Sequence, residues 1–311
     1  MTAVVVSFNS GPDLATCLAS LHAQELSDDM ALRCLVVDND STDDSVAVAA
    51  AALGPEGVLK LRGNAGYAAA LNAGAAEAFD ADAILVLNAD TELSPTAVRE
   101  LAAVAASVGV GIAVPAMTGP EGSVEHTLRR SPTAWRAWIR ALTGRSLCAR
   151  WPWLDEALTS DTDYAAPTRA AWATGAAMYV IRACWDTVGG FDESWFLYSE
   201  ETDFALRAAS AGYALRLAPG AAVRHVGGPG RVEPDLWTLL VINRVIHHQR
   251  YAGPLAGTAM YGAMLANEIL RSPFTPAHRR AALELIRGPR RRRQAVIDRL
   301  RARRPMDVAH V

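Results

Sequence analysis

The chain has 311 residues, of which 51% are hydrophobic and 20% are charged, and its formal net charge is −3. This composition excludes a wholly disordered chain and provides enough apolar side chains for a sizeable buried core. The length fits one large α/β domain, or one such domain followed by a helical extension.

Apolar runs alternate with helical patterns over the first part of the chain. Strands are predicted at residues 3–8, 32–37, 58–61, 84–87 and 110–114. Helices are predicted at about residues 12–24, 43–53 and 67–79, and Ser94 and Pro95 are expected to cap and open a fourth. Continuous apolar strands that alternate with helices indicate an α/β fold with a mostly parallel sheet and helices on both faces.

Polar residues and glycines follow the predicted strands. The four segments are Ser7-Phe8-Asn9-Ser10, Asp38-Asn39-Asp40-Ser41, Arg62-Gly63-Asn64-Ala65-Gly66 and Asn88-Ala89-Asp90-Thr91. Open α/β sheets bind ligands beyond the carboxyl ends of their strands. The sequence therefore predicts a ligand site at this edge of the sheet.

The pattern is less regular beyond Pro115. Four tryptophans lie between residues 120 and 168: Trp135, Trp138, Trp151 and Trp153. They either line a binding cleft or, as we expect for any one of them, pack in the core. Further along, a strand is predicted at 173–181, a turn at Gly189-Gly190, a helix at 199–211 capped by Ser199, a short strand at 222–225, and helices from Pro234 onward.

Asp90 comes directly after a predicted strand, so its carboxylate is expected at the ligand edge. One interpretation is that it holds a divalent cation together with the phosphate oxygens of a nucleotide. The alternative is a turn aspartate that caps the helix beginning near Ser94.

Residues 196–207 place three acids at the start of a helix: Glu200, Glu201 and Asp203. Glu201 or a neighbour is a candidate to accept a proton from an attacking hydroxyl group. Acids in a first turn also stabilise a helix through its dipole. Arg207 lies four residues after Asp203, so a structural ion pair is the alternative for that aspartate.

His225 follows a short predicted strand and precedes Gly227-Gly228. It is either a metal ligand or phosphate contact, or a histidine with a structural role. The neighbouring residues do not decide between these roles.

Together these segments resemble the family-2 glycosyltransferases, in particular bacterial rhamnosyltransferase-like members that act on lipid-linked cell-envelope precursors. The resemblance extends over about residues 3–228, and its motifs occur in the family's order. The motifs are Val4-Val5-Val6-Ser7-Phe8-Asn9, Val36-Val37-Asp38-Asn39-Asp40-Ser41-Thr42-Asp43, Asn64-Ala65-Gly66-Tyr67, Asn72-Ala73-Gly74, Leu87-Asn88-Ala89-Asp90-Thr91, Gly175-Ala176-Ala177-Met178, Gly189-Gly190-Phe191-Asp192-Glu193 and the acidic helix start.

The resemblance implies a GT-A fold that binds a nucleotide-diphosphate sugar and a divalent metal, Mg²⁺ or Mn²⁺. It implies a catalytic domain over residues 1–232, with a donor half at about 1–117 and an acceptor half at about 118–232, and a helical extension over 233–311. The expected donor-binding residues are Ser7, Asn9, Asp38, Asn64, Gly66, Asn88 and Asp90. The other expected site residues are Glu201 as catalytic base, Glu200, Asp203 and Trp195 on the acceptor side, and Asp90 and His225 as metal ligands.

Three positions depart from the family's pattern. The DXD-type metal motif is Asn88-Ala89-Asp90 here, so Asp90 alone can ligate directly. The usual Glu-Asp pair is Glu200-Glu201, which lengthens the base by one methylene. Gly228-Pro229-Gly230 replace the Ser-containing stretch after the histidine, and Arg231 is the candidate to substitute for its phosphate contacts.

The resemblance implies transfer with inversion, and rhamnose or another deoxyhexose as the sugar. The QxxRW signature and the multiple spans of processive synthases are absent, which favours transfer of a single sugar. The expected acceptor is lipid-linked, and a soluble secondary metabolite is the alternative. Two other functions stay open. One is a nucleotidyltransferase, although Asn9-Ser10-Gly11-Pro12 lacks the basic residues typical of that class. The other is a non-catalytic scaffold of the same fold.

The C-terminal residues 287–304 contain nine arginines and one acid, a local charge of +8 that leaves −11 on the remainder. This segment is either a contact with an anionic membrane or a solvated, frayed helix. Residues 251–270 are rich in Ala and Gly and contain Asn267 and Glu268, which indicates a buried or interfacial helix and not a membrane span. Irregularly spaced cysteines and no visible signal peptide predict a cytoplasmic protein. A peripheral position at the inner face of the membrane is the interpretation that goes with membrane contact through the basic segment, and no nucleic-acid partner is expected.

Overall fold

The computed structural model of the protein describes residues 1–226 and 233–302, apart from the side chain of Arg145. The strands are β1 (Thr2–Ser7), β2 (Arg33–Asp38), β3 (Val58–Lys60), β4 (Ala83–Asn88), β5 (Thr91–Leu93), β6 (Val110–Thr118), β7 (Val124–Glu125), β8 (Leu128–Arg129), β9 (Arg169–Ala170), β10 (Trp172–Ala173), β11 (Ala177–Ile181) and β12 (Ala214–His225). The helices are α1 (Gly11–His22), α2 (Ser45–Leu53), α3 (Tyr67–Ala76), α4 (Ala97–Ala105), α5 (Ala134–Arg150), α6 (Asp161–Tyr164), α7 (Arg182–Val188), α8 (Glu200–Ser210), α9 (Pro234–Tyr251), α10 (Gly253–Arg271), α11 (Pro276–Ile286) and α12 (Pro289–Arg301).

Ten strands of the described chain form one sheet, in the order β3-β2-β1-β4-β11-β6-β12-β5, with β7 beside β6 and β9 beside β12. Strands β3, β2, β1 and β4 run parallel to one another. Strand β11 lies antiparallel between β4 and β6, and β12 runs parallel to β6. The predicted α/β class with a mostly parallel sheet is confirmed, and β8 and β10 form a separate two-stranded sheet.

The continuous apolar character of the strands follows from burial on both faces of the sheet. On β1, Val4 and Val6 pack into one core, whereas Ala3 and Val5 pack into the core on the opposite face. Side chains of a strand alternate between its two faces, so a strand covered on both sides needs apolar residues at every position.

Two predicted strands were wrong in extent. The strand predicted at 222–225 is the end of the longer β12, whose register shifts between Ala218 and Ala222. Pro219 and Gly220 lie in that bulge, and a Pro-Gly pair in a sequence indicates a turn. The strand predicted at 173–181 is divided, because residues 174–176 turn between β10 and β11.

The predicted start of the fourth helix was also wrong. Ser94 does not cap it, because its backbone N–H donates to the carbonyl oxygen of Ala222 at 2.9 Å and so extends the pairing of β5 with β12. The helix begins at Ala97 with Thr96 at the N-cap. Asp90 therefore lies in the turn between β4 and β5 and caps no helix.

Core packing was the wrong expectation for the four tryptophans of the middle segment. Their exposed fractions range from 36% for Trp138 to 60% for Trp153. Trp135 and Trp138 lie on α5, which packs against α10, while Trp151 and Trp153 lie in the segment that follows α5. All four rings are partly exposed, and none belongs to a core cluster of the described residues.

The C-terminal helices pack on the α/β domain through a shared core. Phe196 and Leu197, which precede α8, pack with Leu239 and Ile242 of α9 and with residues of α11 and α12. Residues 289–301 do not form the frayed helix that was one expectation, since α12 is anchored by ion pairs. Arg292 bonds to Glu284, and Arg299 bonds to Asp235 and Glu284. No helix within residues 1–226 and 233–302 has the length and apolarity to cross a membrane.

Candidate active site

The ends of three adjacent strands form the base of the site. Ser7 of β1 is in register with Asp38 of β2, and Val6 of β1 is in register with Asn88 of β4. Ser7 and Asp38 are buried, and the hydroxyl of Ser7 and one carboxylate oxygen of Asp38 have no hydrogen-bond partner among the described residues. Buried polar atoms are normally paired, so these two atoms are available to a polar ligand.

Hydrogen bonds between the loops that follow these strands hold the donor side together. Asn9 adopts a positive φ of 54°, and its amide oxygen accepts from the backbone N–H of Thr42 at 2.9 Å. Asn64 accepts from the side-chain amide of Asn39 at 3.0 Å and from the N–H of Gly66 at 3.1 Å. The predicted donor contacts Asn9 and Asn64 therefore lie at the expected edge and also fix the shape of its loops.

Gly66 is required by a close approach between the donor loop and the chain before α8. Its φ is +93°, and a Cβ atom there would lie 2.3 Å from the carbonyl oxygen of Phe196. The next residue, Tyr67, donates its backbone N–H to that same oxygen at 2.8 Å. Only glycine combines this backbone conformation with this contact.

Asp90 and His225 are brought together by the pairing of β5 with β12. His225 is in register with Thr91, and Val226 donates its backbone N–H to the carbonyl oxygen of Asp90 at 2.8 Å. The imidazole Nε2 atom of His225 lies 3.2 Å from Oδ2 of Asp90. The sequence predicted both residues, and the fold makes them neighbours.

Glu125 is a third member of this cluster that sequence reasoning missed. Its Oε2 atom lies 3.6 Å from Nδ1 of His225. Burial lowers the pKa of His225, but the carboxylates of Asp90 and Glu125 outweigh burial and raise that pKa above its ordinary value. Glu125 belongs to the short strand β7, where no motif marks it.

The cluster suits a divalent cation that is shared with a nucleotide. Within the described residues, no group of three or more His, Cys, Asp or Glu side chains has the arrangement of a complete metal site. Mg²⁺ at nucleotide sites is typically held by one or two carboxylates together with substrate phosphates. A carboxylate beside an imidazole, as at Asp90 and His225, is a donor set that fits Mg²⁺ or Mn²⁺ when phosphate oxygens complete the coordination.

The turn before α8 holds two consecutive residues in the left-handed region. Tyr198 has a φ of 66° and Ser199 a φ of 78°. Asn243 of α9 donates its side-chain amide to the carbonyl oxygens of Leu197 and Tyr198 at 2.8 and 2.9 Å. Non-glycine residues at positive φ are strained and cluster at functional sites. Ser199 occupies the predicted N-cap position, but its side chain makes no capping hydrogen bond within the part of the chain that the structure describes.

Glu200 and Glu201 begin α8 as two carboxyl groups with raised pKa values. Burial raises the pKa of Glu201 to about 7. Burial, together with the charge of Glu201, raises the pKa of Glu200 well above its ordinary value. One carboxyl oxygen of each is buried with no hydrogen-bond partner in the described chain. Glu201 is thus the member that ionises near neutral pH, which suits a general base.

Tyr67, a second residue that sequence reasoning missed, links the two halves of the site. Its hydroxyl donates to the carbonyl oxygen of Gly175 at 3.3 Å. Burial raises its pKa well above the ordinary value, and the charges of Glu200, Asp90 and Glu201 raise it further. Asp90 and Glu201 are therefore both near one phenol ring. Tyr67 stands inside the family motif Asn64-Ala65-Gly66-Tyr67, where its position was the available clue.

Two expected acceptor-side residues have contacts typical of packing. Asp203 pairs with Arg207 at 2.7 Å, as the alternative interpretation of the sequence had it, and accepts from the hydroxyl of Tyr251. Trp195 is 1% exposed, with the guanidinium of Arg250 4.8 Å from its ring centroid. Arg231, the candidate for the phosphate contacts, and Gly228-Pro229-Gly230 lie outside the described residues.

The sequence matches known glycosyltransferase families. Residues 2–158 match Glycosyl transferase family 2, and residues 83–253 match Glycosyl transferase family group 2. A similar curated protein, from two strains of Mycobacterium tuberculosis, is N-acetylglucosaminyl-diphospho-decaprenol L-rhamnosyltransferase. It is 30% identical over 233 residues, which cover 71% of this chain and 74% of the relative.

Solved structures share the fold at low sequence identity. The mannosyltransferase PcManGT from Pyrobaculum calidifontis, in complex with GDP-Man and Mn²⁺, has a TM-score of 0.53 and 17% identity over 97% of this chain and 85% of its own. Residues 1–349 of S. aureus TarS, in complex with UDP, have a TM-score of 0.51 and 14% identity over 88% of this chain and 72% of theirs. Of a longer TarS structure, this chain covers 44%.

Proposed function

This chain belongs to glycosyltransferase family 2, and we propose that it transfers a single sugar, with inversion, from a nucleoside-diphosphate donor to a hydroxyl group of a lipid-linked acceptor. Glu201 is the general base of this reaction, and Asp90 and His225 hold the divalent cation. The observation that carries the proposal is the carboxyl of Glu201, in a site that also contains Asp90. Its pKa is raised, and one of its oxygens has no hydrogen-bond partner among the described residues.

The reaction is an in-line displacement. The acceptor hydroxyl loses its proton to the carboxylate of Glu201 as its oxygen forms a bond to the anomeric carbon of the sugar. The bond from that carbon to the diphosphate oxygen breaks, and the electron pair leaves with the nucleoside diphosphate. Attack from the face opposite the leaving group inverts the anomeric configuration.

The buried position of the two glutamates explains how a carboxylate serves as a base near neutral pH. Burial raises the pKa of Glu201 to about 7, which makes its carboxylate a stronger base toward the attacking hydroxyl group. Burial, together with the charge of Glu201, raises the pKa of Glu200 well above its ordinary value, which disfavours a second charge beside the base.

Asp90 and His225 are the protein ligands expected for the cation. A bound Mg²⁺ or Mn²⁺ supplies positive charge that stabilises the diphosphate as the glycosidic bond breaks. Asp90 and His225 lie next to each other at the edge where Ser7 and Asp38 also present polar atoms. This arrangement supports binding of a nucleotide diphosphate there. The complexes of the structural neighbours with UDP, or with GDP-Man and Mn²⁺, support the same ligand class.

The M. tuberculosis relative supports the choice of sugar and acceptor. Its name specifies L-rhamnose as the transferred sugar and an N-acetylglucosaminyl-diphospho-decaprenol as the substrate. We therefore propose a deoxyhexose donor and a prenyl-diphosphate-linked sugar acceptor for this chain.

A transfer assay tests the function. Purified protein is incubated with radiolabelled dTDP-rhamnose or UDP-sugars, a short-chain prenyl-diphosphate N-acetylglucosamine, and Mn²⁺ or EDTA. Label is expected in the lipid fraction with Mn²⁺ and not with EDTA. No transfer from any donor, or release of pyrophosphate from a nucleoside triphosphate, would overturn the proposal.

A further inference from the structure

A cluster of arginines lies beside Glu201, outside the set of residues assigned above. Its cations outnumber its anions, with five guanidinium groups around two carboxylates. The members are Arg129, Arg130, Arg136, Arg140, Arg244, Asp155 and Glu156. This excess of positive charge in a partly buried region favours an anionic ligand.

Two of the five arginines are tied to the loop that follows α5. Arg130 donates to the carbonyl oxygens of Pro152, Asp155 and Ala157 at 3.4, 3.2 and 3.0 Å. Arg140 pairs with Asp155 at 2.6 Å. These contacts fix the loop. The other members to consider for binding are Arg136, Arg244 and Arg129, although one guanidinium nitrogen of Arg129 also donates to the carbonyl oxygens of His126 and Leu128.

The remaining three arginines surround Glu156. Arg244 of α9 forms an ion pair with Glu156, whose side chain is 8% exposed. The negative charge of Glu156 raises the pKa of both Arg129 and Arg136, although burial lowers each of them overall. One carboxylate cannot neutralise three guanidinium groups. Arg129 lies on β8 in register with Trp172 of β10, and Gly175, which follows β10, packs against Glu201, since a Cβ atom on Gly175 would lie 3.2 Å from Cβ of Glu201. The charge of Arg129 also acts on Glu201, so the cluster adjoins the proposed base.

Buried polar atoms around the cluster lack partners within the described chain. They are Nε of Arg136, Nε of Arg244, Oε1 of Glu156, Nε2 of His248 and Nε1 of Trp172. Arg244 and Glu156 act electrostatically on His248, and the guanidinium of Arg129 lies 5.8 Å from the ring centroid of Trp172. Three of these atoms, Nε of Arg136, Nε of Arg244 and Nε1 of Trp172, carry N–H donors, and unpaired donors in one region are typical of a binding site for oxygen-rich anions.

Exposed tryptophans border the same cluster. Trp135 lies under the guanidinium of Arg136, 4.4 Å from its ring centroid. Trp151 and Trp153 flank Pro152, whose carbonyl oxygen accepts from Arg130. Their rings are 44–60% exposed. Arginines next to exposed indole rings match a ligand with an anionic head and an apolar chain.

We propose that Arg129, Arg136 and Arg244 bind the diphosphate of the acceptor, and that its prenyl chain lies across Trp135, Trp151 and Trp153. This inference rests on the proposed function, because it deepens the acceptor half of the same site. The diphosphate would place the sugar hydroxyl of the acceptor beside Glu201, while the nucleotide occupies the edge at Asp90. The shared chemistry is a phosphate group on a lipid, so phospholipid headgroups are the other source to test.

Binding of farnesyl diphosphate, measured by calorimetry in EDTA, tests the inference without requiring transfer. Wild-type protein, Arg136→Gln and Arg99→Gln are compared, and Arg99 serves as the control because it lies on α4. Charged hydrogen bonds contribute enough that Arg136→Gln is expected to weaken binding about tenfold or more. Arg99→Gln and Asp90→Ala are expected to bind as the wild type does, and farnesol is expected not to bind.

A second variant distinguishes loss of binding from loss of folding. The double variant Arg244→Gln with Glu156→Gln removes both partners of the buried pair, so no carboxylate is left unpaired. Equal binding of farnesyl diphosphate by the wild type, Arg136→Gln and the double variant would overturn the inference. So would loss of binding to phosphatidylglycerol vesicles by Arg136→Gln with unchanged binding of farnesyl diphosphate, since the arginines would then hold headgroups. If farnesyl diphosphate binds in a way that depends on the arginines but the transfer assay shows no sugar transfer, the proposed function is refuted and the diphosphate site is retained.

Discussion

His225 Nε2 lies 3.2 Å from Oδ2 of Asp90, although the two residues are far apart in the sequence. The contact depends on the antiparallel pairing of β12 with β5, which sets His225 opposite Thr91. The proposed cation site therefore needs the edge strand to form correctly, because β12 must pair with β5 before His225 lies beside Asp90.

The first prediction concerns metal dependence. His225→Asn is expected to raise the Mn²⁺ concentration for half-maximal transfer on the order of tenfold, and Asp90→Ala is expected to abolish transfer. A Mn²⁺ titration of the initial rate measures both effects. His22→Asn is the control, because His22 is exposed on α1. Unchanged Mn²⁺ dependence in both site variants would contradict the cation assignment.

The second prediction concerns the base. Glu201→Gln is expected to lower kcat by about 10²–10⁴ while the donor KM changes little, because the amide cannot accept the proton. Glu201→Asp restores the carboxylate and is expected to retain more activity than Glu201→Gln. Steady-state kinetics of both variants measure this, with Glu77→Gln, an exposed residue after α3, as the control. A fall in donor affinity with unchanged kcat would assign Glu201 to donor binding.

The third prediction concerns Glu200 and stability. Its pKa is raised in the folded state, so the folded protein binds more protons than the unfolded chain, and stability falls as the pH rises above the unfolded pKa. Glu200→Gln removes this loss and is expected to raise the free energy of unfolding at pH 8. The gain should shrink as the pH falls below 4.5, the ordinary pKa of the glutamate in the unfolded chain, because both states then become protonated. Urea unfolding at several pH values measures it, and a pH-independent difference would contradict it.

The fourth prediction concerns the contact between the donor loop and the chain before α8. Gly66→Ala is expected to destabilise the protein by more than the roughly 1–3 kcal/mol of a strained backbone conformation, because the new Cβ also meets the carbonyl of Phe196. Gly63→Ala is the matched control, since Gly63 also has a positive φ but no atom within 4 Å of such a Cβ. Thermal unfolding compares the two. Equal losses of stability would show that the close contact costs nothing.

The alternation of apolar runs and helices was enough to predict the sheet and its ligand edge. That prediction succeeded because strands buried on both faces are apolar throughout, and because carboxyl ends of parallel strands meet at one edge. The pairing of Asp203 with Arg207 was foreseeable for a similar local reason, since residues four apart share a helix face.

Features that depend on distant strand pairing were not foreseeable. Glu125 reaches His225 only because β7 lies beside β6, and nothing in its neighbourhood marks it. Ser94 has the form of an N-cap but continues the edge of β5, because Ala222 offers its carbonyl oxygen there. The exposure of Trp135 likewise depends on which face of α5 packs against α10.

The pH dependence of kcat/KM in the wild type and in Glu201→Gln is the most direct test of the central claim. The pKa of Glu201 is raised to about 7, so the fraction of active, ionised base rises as the pH passes through that value. The wild type is expected to show an acidic limb near pH 7, and Glu201→Gln is expected to lose that limb along with most of its activity. A variant that keeps the wild-type rate and the same limb would show that another group is the base.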